Sequence, residues 1–444
     1  MPAVWNAHMA GMLFFKPIHM FSKIRLLLVL VGCHALSLHA AVTKDTVRIF
    51  QYNLLTYGDA NNPVSYKNPR LASIVTYANP DIIGVNELSN GASYAQSVLT
   101  GVLGNGWTKG NYSNVNNQIQ TNMLFWKTDK FALAKQTLVA SIVRDIIAFR
   151  LYYKDAALAT TRDTTFITVI VGHLKAGEAS SDSITRSDET RAVANFLNNQ
   201  GSGGNYVFMG DFNLYSSGEQ AYQNLVNNSN QNGRLYDPIS SPGYWHSNSN
   251  FASIHTQSTR TTNLPDGGVS GGLDDRFDHI LISGYLMNNT AGVQYLPGSY
   301  QAIGQDGHHL NKAVNAAPTN TAVPAAIATA LYEMSDHLPV TAAFVITKTQ
   351  PTSSIATTAH TLEAQISMQN PVAGNLRIRF DAQLQGKTFS LAFYNANGQL
   401  VKTGQIVASG GVQELLMNEQ VPGIYTLQVS DANGNKVYRK LMVY

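Results

Sequence analysis

The 444-residue chain is predicted to hold an α/β (α+β) sandwich with large surface insertions, followed by a smaller all-β module. Three observations support this. Apolar runs of strand length alternate with helical patterns through the middle of the chain, period-two alternation replaces them near the C-terminus, and a Ser/Thr/Pro-rich stretch separates the two regions. The length suits two domains, and 44% apolar residues are typical of a globular protein.

The N-terminal segment, residues 1–41, is predicted to be a secretory signal peptide. Lys23 and Arg25 precede a short apolar run that ends in small residues, and Met20 is the expected true start. The run is too short for a membrane-spanning helix. The only cysteine, Cys33, follows a sequence that also resembles a bacterial lipobox, so lipidation is the alternative.

The central segment, residues 45–346, is predicted to alternate buried strands with helices and long polar loops. Helical spacing is seen around Leu71 and again around Val193, where Asp188-Glu189 suits a helix start. Polar stretches at 103–120 and 240–275 are predicted loops. The apolar runs that predict strands are Val47–Tyr52, Ile82–Val85, Met123–Trp126, Phe166–Val171, Tyr206–Met209, Ile280–Ile282 and Val340–Ile346.

Polar side chains interrupt these runs where the strands begin or end. Strand ends of a sheet can converge at one edge, where ligands commonly bind. We therefore expect these side chains to form one pocket. They are Asn53, Glu87, His173, Asp211 with Asn213, Asp278, and Asp336 with His337.

This set of side chains suits metal-assisted hydrolysis of a phosphate ester. Carboxylate and amide oxygens are the ligands that Mg²⁺ and Mn²⁺ prefer, and no thiolate is needed. Histidine is the natural general base near neutral pH, and a carboxylate can fix its tautomer. Taken singly, each residue has a structural explanation; Asp211 to Asn213, for example, could form an Asx turn. The joint order of the segments favours the site.

Two further groups of polar residues have simpler interpretations. Arg186, Glu189 and Arg191 could reach the pocket, but surface ion pairs along the helix are the expected role. His308-His309, in a Gly/Asn-rich loop, could form a second metal site, but solvated loop histidines are the expectation.

The net charge of +3 is unevenly distributed along the chain. Three positive residues and no acid lie before Lys44, and the segment from residue 349 onward has a net charge of +2. From Lys44 to Lys348 there are 20 Lys and Arg against 22 Asp and Glu, a net charge of −2. The central segment is therefore slightly acidic, which fits a carboxylate-rich metal site better than a basic phosphate-binding surface.

The central segment resembles the endonuclease/exonuclease/phosphatase superfamily, which includes DNase I-like nucleases, sphingomyelinases and inositol polyphosphate phosphatases. The most specific segments are Gly210-Asp211-Phe212-Asn213 and Ser335-Asp336-His337-Leu338-Pro339. The resemblance implies a four-layer sandwich of two mixed β-sheets flanked by helices. It also implies a metal-dependent phosphoric ester hydrolase.

The resemblance implies a role for each pocket residue. Asn53, Glu87 and Asp336 would bind Mg²⁺ or Mn²⁺. Asp211 would orient the attacking water or leaving group, and Asn213 would hold a phosphate oxygen. The remaining roles are His337 as base or phosphate-polarising group, His173 as a contact to the scissile phosphate or as the acid, and Asp278 as the residue that orients His337.

The C-terminal module, residues 362–444, follows a predicted linker at 347–361. Its alternating apolar residues and the turn sequences Asn397-Gly398 and Asn433-Gly434 predict a small β-sandwich. Its sequence is similar to the sorting domain of the Bacteroidetes type IX secretion system. The similarity implies export across the outer membrane to the medium or the cell surface, with the secretion machinery as a partner. A carbohydrate-binding or purely structural sandwich is the alternative.

Three functional hypotheses follow from the sequence. The first is a secreted, metal-dependent phosphodiesterase, specifically an endonuclease that hydrolyses DNA or RNA as a monomer. The second is a lipid or small-molecule phosphoesterase. The third is a non-catalytic surface-binding module, which would have no need of the metal and histidine positions.

Overall fold

The protein is described from a computed structural model that covers residues 42–156, 158–349, 362–417 and 421–444. The predicted signal peptide, with Cys33, lies outside the described residues, as does most of the predicted linker. The first strand begins at Val42 and the last strand of the central segment ends at Thr349. Both therefore extend by three residues beyond the bounds expected for the domain.

The described ranges contain twenty strands, a short π-helix and two 3-10 helices, and seven α-helices lie in the central segment. The strands of the central segment are β1 Val42–Tyr57, β2 Ile82–Ser89, β3 Trp107–Lys109, β4 Gln120–Lys127, β5 Phe131–Ser141, β6 Asp145–Tyr153, β7 Phe166–His173, β8 Tyr206–Asp211, β9 Leu235–Tyr236, β10 Asp278–Ser283, β11 Val293–Tyr295, β12 Gln301–Ala302 and β13 Val340–Thr349. The helices are α1 Val64–Ala78, α2 Ala92–Val98, α3 Leu158–Thr161, α4 Ser180–Asn198, α5 Gln220–Val226, α6 Gly284–Asn288 and α7 Ala325–Met334.

Two mixed sheets pack face to face in the central segment. The first has the strand order β11-β13-β1-β2-β4-β3, with β12 also paired to β13, and the second has the order β5-β6-β7-β8-β10-β9. One hydrophobic core lies between them, where residues such as Ile49 and Leu124 of the first sheet meet Phe149 and Val207 of the second. The alternation of the strands leaves the other face of each sheet for a second layer of packing.

Helices cover both outer faces. Leu71 of α1 and Leu331 of α7 pack with Phe50 on the first sheet, while Val193 of α4 and Leu225 of α5 belong to the core on the second sheet. The order of layers is helix, sheet, sheet, helix. This confirms the expected four-layer α/β sandwich.

Every apolar run predicted to be a strand lies within a strand. The start of α4 is different from the prediction: the helix begins at Ser180, two turns before Asp188-Glu189. Its N-terminal acid is Asp182, whose Oδ2 accepts a hydrogen bond from Ala179 N at 3.2 Å. The polar sequence of this first part hid the helix, because only its later turns carry an apolar face.

The C-terminal module is a sandwich of two antiparallel sheets with its own core. Its sheets have the orders β14-β15-β18 and β17-β16-β19-β20. Gly398 and Gly434, both with positive φ, lie in the turns that close the β16–β17 and β19–β20 hairpins, as predicted. The strands are β14 Ile366–Met368, β15 Asn375–Phe380, β16 Thr388–Tyr394, β17 Leu400–Val407, β18 Val412–Leu416, β19 Gly423–Ser430 and β20 Lys436–Val443.

Candidate active site

Both sheets contribute side chains to one pocket. In the first sheet, β1 and β2 are parallel neighbours, and the register that pairs Asn53 with Asn86 brings Asn53 beside the following residue, Glu87. In the second sheet, His173 at the end of β7 is opposite Asp211 at the end of β8. Asp211 is in turn opposite Asp278, the first residue of β10. The segment before β13 supplies Asp336 and His337.

A buried amide, Asn86, joins the two sheets at this edge. Its Oδ1 accepts a hydrogen bond from Asp211 N at 2.9 Å, and its Nδ2 donates to Gly172 O at 3.1 Å in the second sheet. Nδ2 also donates to Asn122 Oδ1 at 2.7 Å in the first sheet. Asn86 therefore fixes where the two halves of the pocket stand relative to one another.

Three oxygen-bearing side chains meet at the centre of the pocket. Asn53 Nδ2 donates to Glu87 Oε1 at 3.1 Å and to Asp211 Oδ2 at 3.0 Å. Burial raises the pKa of Glu87, and the charge of Asp336 adds to this effect. Burial also raises the pKa of Asp211. The pocket therefore concentrates negative charge that is unfavourable without a cation.

His337 is held by a carboxylate. Its Nδ1 lies 2.7 Å from Asp278 Oδ2, and its Nε2 lies 3.6 Å from Asp211 Oδ2. Although burial opposes the charged form, the carboxylates of Asp278 and Asp211 raise the pKa of His337 well above its usual value. The ring is therefore aimed at Asp211 with its Nε2 directed into the pocket.

His173 is buried without a hydrogen bond. Its Nε2 lies 3.4 Å from Asp211 Oδ2 and 3.9 Å from Glu87 Oε1, but neither ring nitrogen has a hydrogen-bond partner among the described residues. Burial, with the charges of Arg144 and His337, holds the pKa of His173 well below its usual value. Buried polar atoms are rarely left unpaired, so these nitrogens point to a ligand of the pocket.

The segment from Gly210 to Asn213 combines a tight turn with the site. Asp211 Oδ1 accepts a hydrogen bond from Asn213 N at 3.0 Å, which is the Asx turn given as an alternative. Asn213 has a φ of 50°, and its Nδ2 donates to Leu174 O at 3.2 Å. A Cβ on Gly210 would lie 1.7 Å from Gly172 O, so only glycine allows β7 and β8 to approach here.

Asp336 lies on the side of the pocket next to His337. Its Oδ2 accepts hydrogen bonds from Val269 N at 2.9 Å and from Gln257 Nε2 at 3.4 Å. Among the acidic and histidine side chains of this pocket, Glu87, His173 and Asp211 place one ligand atom each within 4.8 Å of one another. Of the expected ligands, Glu87 belongs to this group and Asn53 contacts two of its members, whereas Asp336 lies outside it.

Sequence reasoning missed three residues of the pocket wall: Asn86, Gln257 and Arg144. Asn86 is adjacent to Glu87 and follows the same apolar run, a signal that was available. Gln257 and Arg144 lie in segments with no motif. Arg144 donates to the carbonyls of His173 and Leu174 at 3.4 Å each, which places a positive charge beside the carboxylates.

The expected surface role is wrong for Arg186 and Glu189. Arg186 is buried, pairs with Glu219 at 2.7 Å and donates to the carbonyls of Lys175 and Gly177. Glu189 is buried and accepts a hydrogen bond from Lys175 N at 2.9 Å. Both therefore hold the segment that follows His173, whereas Arg191 makes the expected exposed pair with Asp188 at 2.9 Å.

His309 has a structural role. Its Nδ1 lies 2.8 Å from Asp306 Oδ1, and its Nε2 lies 3.1 Å from Ala316 O and 3.0 Å from Pro318 O. These contacts occupy both ring nitrogens. The ring therefore fixes the loop, as a satisfied buried histidine does.

Replacing Arg186 with Met is expected to lower the free energy of unfolding by about 3 kcal/mol, because Glu219 loses its charged partner. Urea unfolding of both proteins measures this difference. Arg191→Met is the matched control, since its exposed pair contributes roughly 0–1 kcal/mol. Equal effects of the two substitutions would contradict the buried role of Arg186.

Glu189 should make stability depend on pH. Burial raises the pKa of Glu189 from 4.5 to about 7, so between these values the folded protein keeps a proton that the unfolded chain releases. The contribution of Glu189 to stability therefore falls as the pH rises through this range. Glu189→Gln, which retains the acceptor for Lys175 N, is expected to exceed wild type in unfolding free energy at pH 8 by on the order of 1–3 kcal/mol. The difference should vanish at pH 4, and a wild type more stable at pH 8 would contradict this prediction.

A four-layer sandwich of this kind, with carboxylates, amides and two imidazoles gathered in one pocket, is the architecture of the family that the sequence matches. Residues 50–337 match the Endonuclease/Exonuclease/phosphatase family. The chain belongs to this family, whose members include nucleases and phosphatases and generally use divalent metal ions. No curated protein matches the chain.

The second match explains the C-terminal module. Residues 370–444 match the Secretion system C-terminal sorting domain. Proteins that carry this domain are exported by type IX secretion to the cell surface or the extracellular space, and this is the destination of the present protein. Among the described helices, none has the length and apolarity to cross a bilayer.

Several solved structures resemble the chain. An endonuclease/exonuclease/phosphatase family protein from Bacteroides thetaiotaomicron is 15% identical, with a TM-score of 0.44, and the match covers 69% of this chain and 97% of that one. A mannosyl-6-phosphatase from the same species is 15% identical, with a TM-score of 0.42 and coverage of 67% and 98%. TDP2 of D. rerio, complexed with a single-strand DNA product, is 12% identical, with a TM-score of 0.42 and coverage of 68% and 99%.

Proposed function

We propose that this exported protein is a divalent-metal-dependent phosphodiesterase, and specifically an endonuclease that cleaves DNA or RNA. The observation that carries the proposal is the convergence of Asn53, Glu87, His173, Asp211 and His337 from two sheets on one pocket. The distances of 3.0–3.9 Å among their polar atoms fit a site that binds one small anionic group with a cation.

The donor set fits a hard divalent cation. Carboxylates with raised pKa values crowd together, and an unpartnered neutral imidazole lies beside them. Asn53, Glu87 and Asp336 are the proposed ligands of Mg²⁺ or Mn²⁺. A bound cation would supply Lewis-acid polarisation of the phosphoryl group and neutralise these carboxylates.

The remaining catalytic roles are proposed for side chains of the pocket. His337, fixed by Asp278, directs Nε2 towards Asp211, and these two groups are placed to orient a water and accept its proton. The carboxylate charges that raise the pKa of His337 are ones that a bound cation would offset, which would free the ring for this role. The lowered pKa of His173 favours a neutral ring, which donates a hydrogen bond to a phosphate oxygen rather than a proton. Asn213 is proposed to hold another phosphate oxygen.

Nucleic acid is the proposed substrate class because a nuclease without sequence preference needs only backbone contacts and few cations. Arg144, which is half-buried beside His173, is the proposed cation for such a backbone contact. The net charge of −2 from Lys44 to Lys348 argues against tight binding of a long duplex. Because few cations contact the phosphates, we expect binding to depend only weakly on ionic strength and the product to be released readily.

The proposal is tested by incubating the secreted protein with supercoiled plasmid, single-stranded RNA and sphingomyelin vesicles, each with Mg²⁺, Mn²⁺ or EDTA. Nicking of plasmid or cleavage of RNA that EDTA abolishes supports the endonuclease. Hydrolysis of sphingomyelin alone would assign the protein to lipid phosphoesterases. Activity on none of these substrates, or activity that EDTA leaves unchanged, would contradict the proposal that the protein is a metal-dependent phosphodiesterase.

A further inference from the structure

Gln257 is built into the backbone between two parts of the site. It pairs antiparallel with Asp275 on one side and with His337 on the other. Its N donates to Asp275 O at 3.1 Å, and its O accepts from Asp275 N at 2.9 Å. Residues directly opposite in an antiparallel pair place their side chains on the same face. The Gln257 side chain is therefore presented beside that of His337.

The residues around Gln257 are hydrogen-bonded to the segments that carry Asp278 and Asp336. Thr256 Oγ1 accepts a hydrogen bond from Asp278 N at 3.2 Å, and Thr256 O accepts one from Leu338 N at 2.7 Å. Thr259 N donates to Asp336 O at 3.0 Å. The position of Gln257 thus follows the positions of Asp278 and Asp336.

The amide of Gln257 reaches two site residues at once. Its Nε2 lies 2.6 Å from His337 Nε2 and 3.4 Å from Asp336 Oδ2. An amide nitrogen carries two hydrogens, so it can serve a carboxylate and an unprotonated ring nitrogen together. The side chain is half-buried, and it borders the pocket rather than the core.

We propose that Gln257 is a positioning residue that ties the imidazole of His337 to the carboxylate of Asp336. The inference rests on the proposed function, because it concerns the proposed base and a proposed metal ligand. Asp278 holds one ring nitrogen of His337 and Gln257 holds the other, so the ring is fixed at both ends. The same amide couples the orientation of that ring to the carboxylate of Asp336.

The tie is geometric, because a single amide nitrogen lies 2.6 Å from the ring of His337 and 3.4 Å from the carboxylate of Asp336. A shift of either group therefore changes the contact with the other. Partners that orient catalytic ligands in this way typically contribute 10- to 100-fold to metal affinity or activity.

The test compares Gln257→Met with Gln305→Met in the full chain. Both glutamines are half-buried, and Gln305 donates to His255 O at 2.9 Å outside the pocket. The measurements are kcat and KM for bis(4-nitrophenyl) phosphate with Mn²⁺, the Kd of Mn²⁺ by calorimetry, and Tm. Should Gln257→Met fail to fold, Gln257→Ala takes its place in the same measurements.

Gln257→Met is expected to lower kcat about 10- to 100-fold with KM within about twofold, and to raise the Kd of Mn²⁺. Gln305→Met is expected to keep the wild-type kcat and Kd. Unchanged kcat and Kd in Gln257→Met, or equal losses in both variants, would overturn the positioning role. If wild type hydrolyses no phosphodiester, the proposed function fails, and the Mn²⁺ Kd alone decides whether Gln257 supports Asp336.

Discussion

His337→Ala is expected to lower kcat for phosphodiester hydrolysis about 10²- to 10⁴-fold, the range typical of a lost general base. The reason is geometric: His337 is the imidazole whose Nε2 faces Asp211 at 3.6 Å, while its other nitrogen is held by Asp278 at 2.7 Å. Steady-state kinetics with plasmid and with bis(4-nitrophenyl) phosphate measure the loss.

The matched control for this prediction is His308→Ala, because His308 is an exposed histidine in a loop. It should retain wild-type kcat, and both variants should retain the wild-type circular dichroism spectrum. A His337→Ala protein that is folded and keeps more than about one tenth of the wild-type kcat would show that His337 is not the base.

Glu87→Gln is expected to reduce both activity and metal binding. Glu87 Oε1 is within hydrogen-bond distance of Asn53 Nδ2, at 3.1 Å, and the pKa of Glu87 is raised by burial and by Asp336, so a nearby cation stabilises its charged form. If the metal supplies several kcal/mol of transition-state stabilisation, its loss lowers kcat about 10²- to 10⁴-fold.

Metal binding provides a second measurement of the effect of the Glu87 substitution. A ligand that binds the folded state raises Tm, by an amount equivalent to about 2.7 kcal/mol at 100 times its Kd. Wild type should show this rise with Mn²⁺, and Glu87→Gln should show little of it. Glu333→Gln, which removes a surface partner of Arg70, is the control and should keep the full response. An equal Mn²⁺ response in Glu87→Gln would exclude Glu87 as a ligand.

The sequence was informative where one strand carried both the fold and the chemistry. Buried strands appear in the sequence as apolar runs. A polar residue at the end of such a run, such as Glu87 or Asp211, is conspicuous because burying it costs free energy. The apolar run therefore predicted the position of the strand, and the polar residue at its end predicted a position in the pocket. The fold class and the gathering of these side chains both followed from that pattern.

Residues that act from outside the strands could not be found in this way. Gln257 lies in a polar loop, and its place beside His337 depends on backbone pairing between segments 80 residues apart along the chain. Arg186 sits in the first turns of α4, where the polar sequence suggested solvent, yet it is buried against Glu219. Periodicity describes local exposure, and it carries no signal for a buried ion pair or a long-range contact.

The division of the pocket between two sheets has a consequence for a protein that leaves the cell. Asn53 and Glu87 belong to one sheet, and His173 and Asp211 to the other, with Asn86 spanning the gap. Neither sheet alone holds a complete set of groups. The set of groups is therefore complete only in the folded protein, after both sheets have closed.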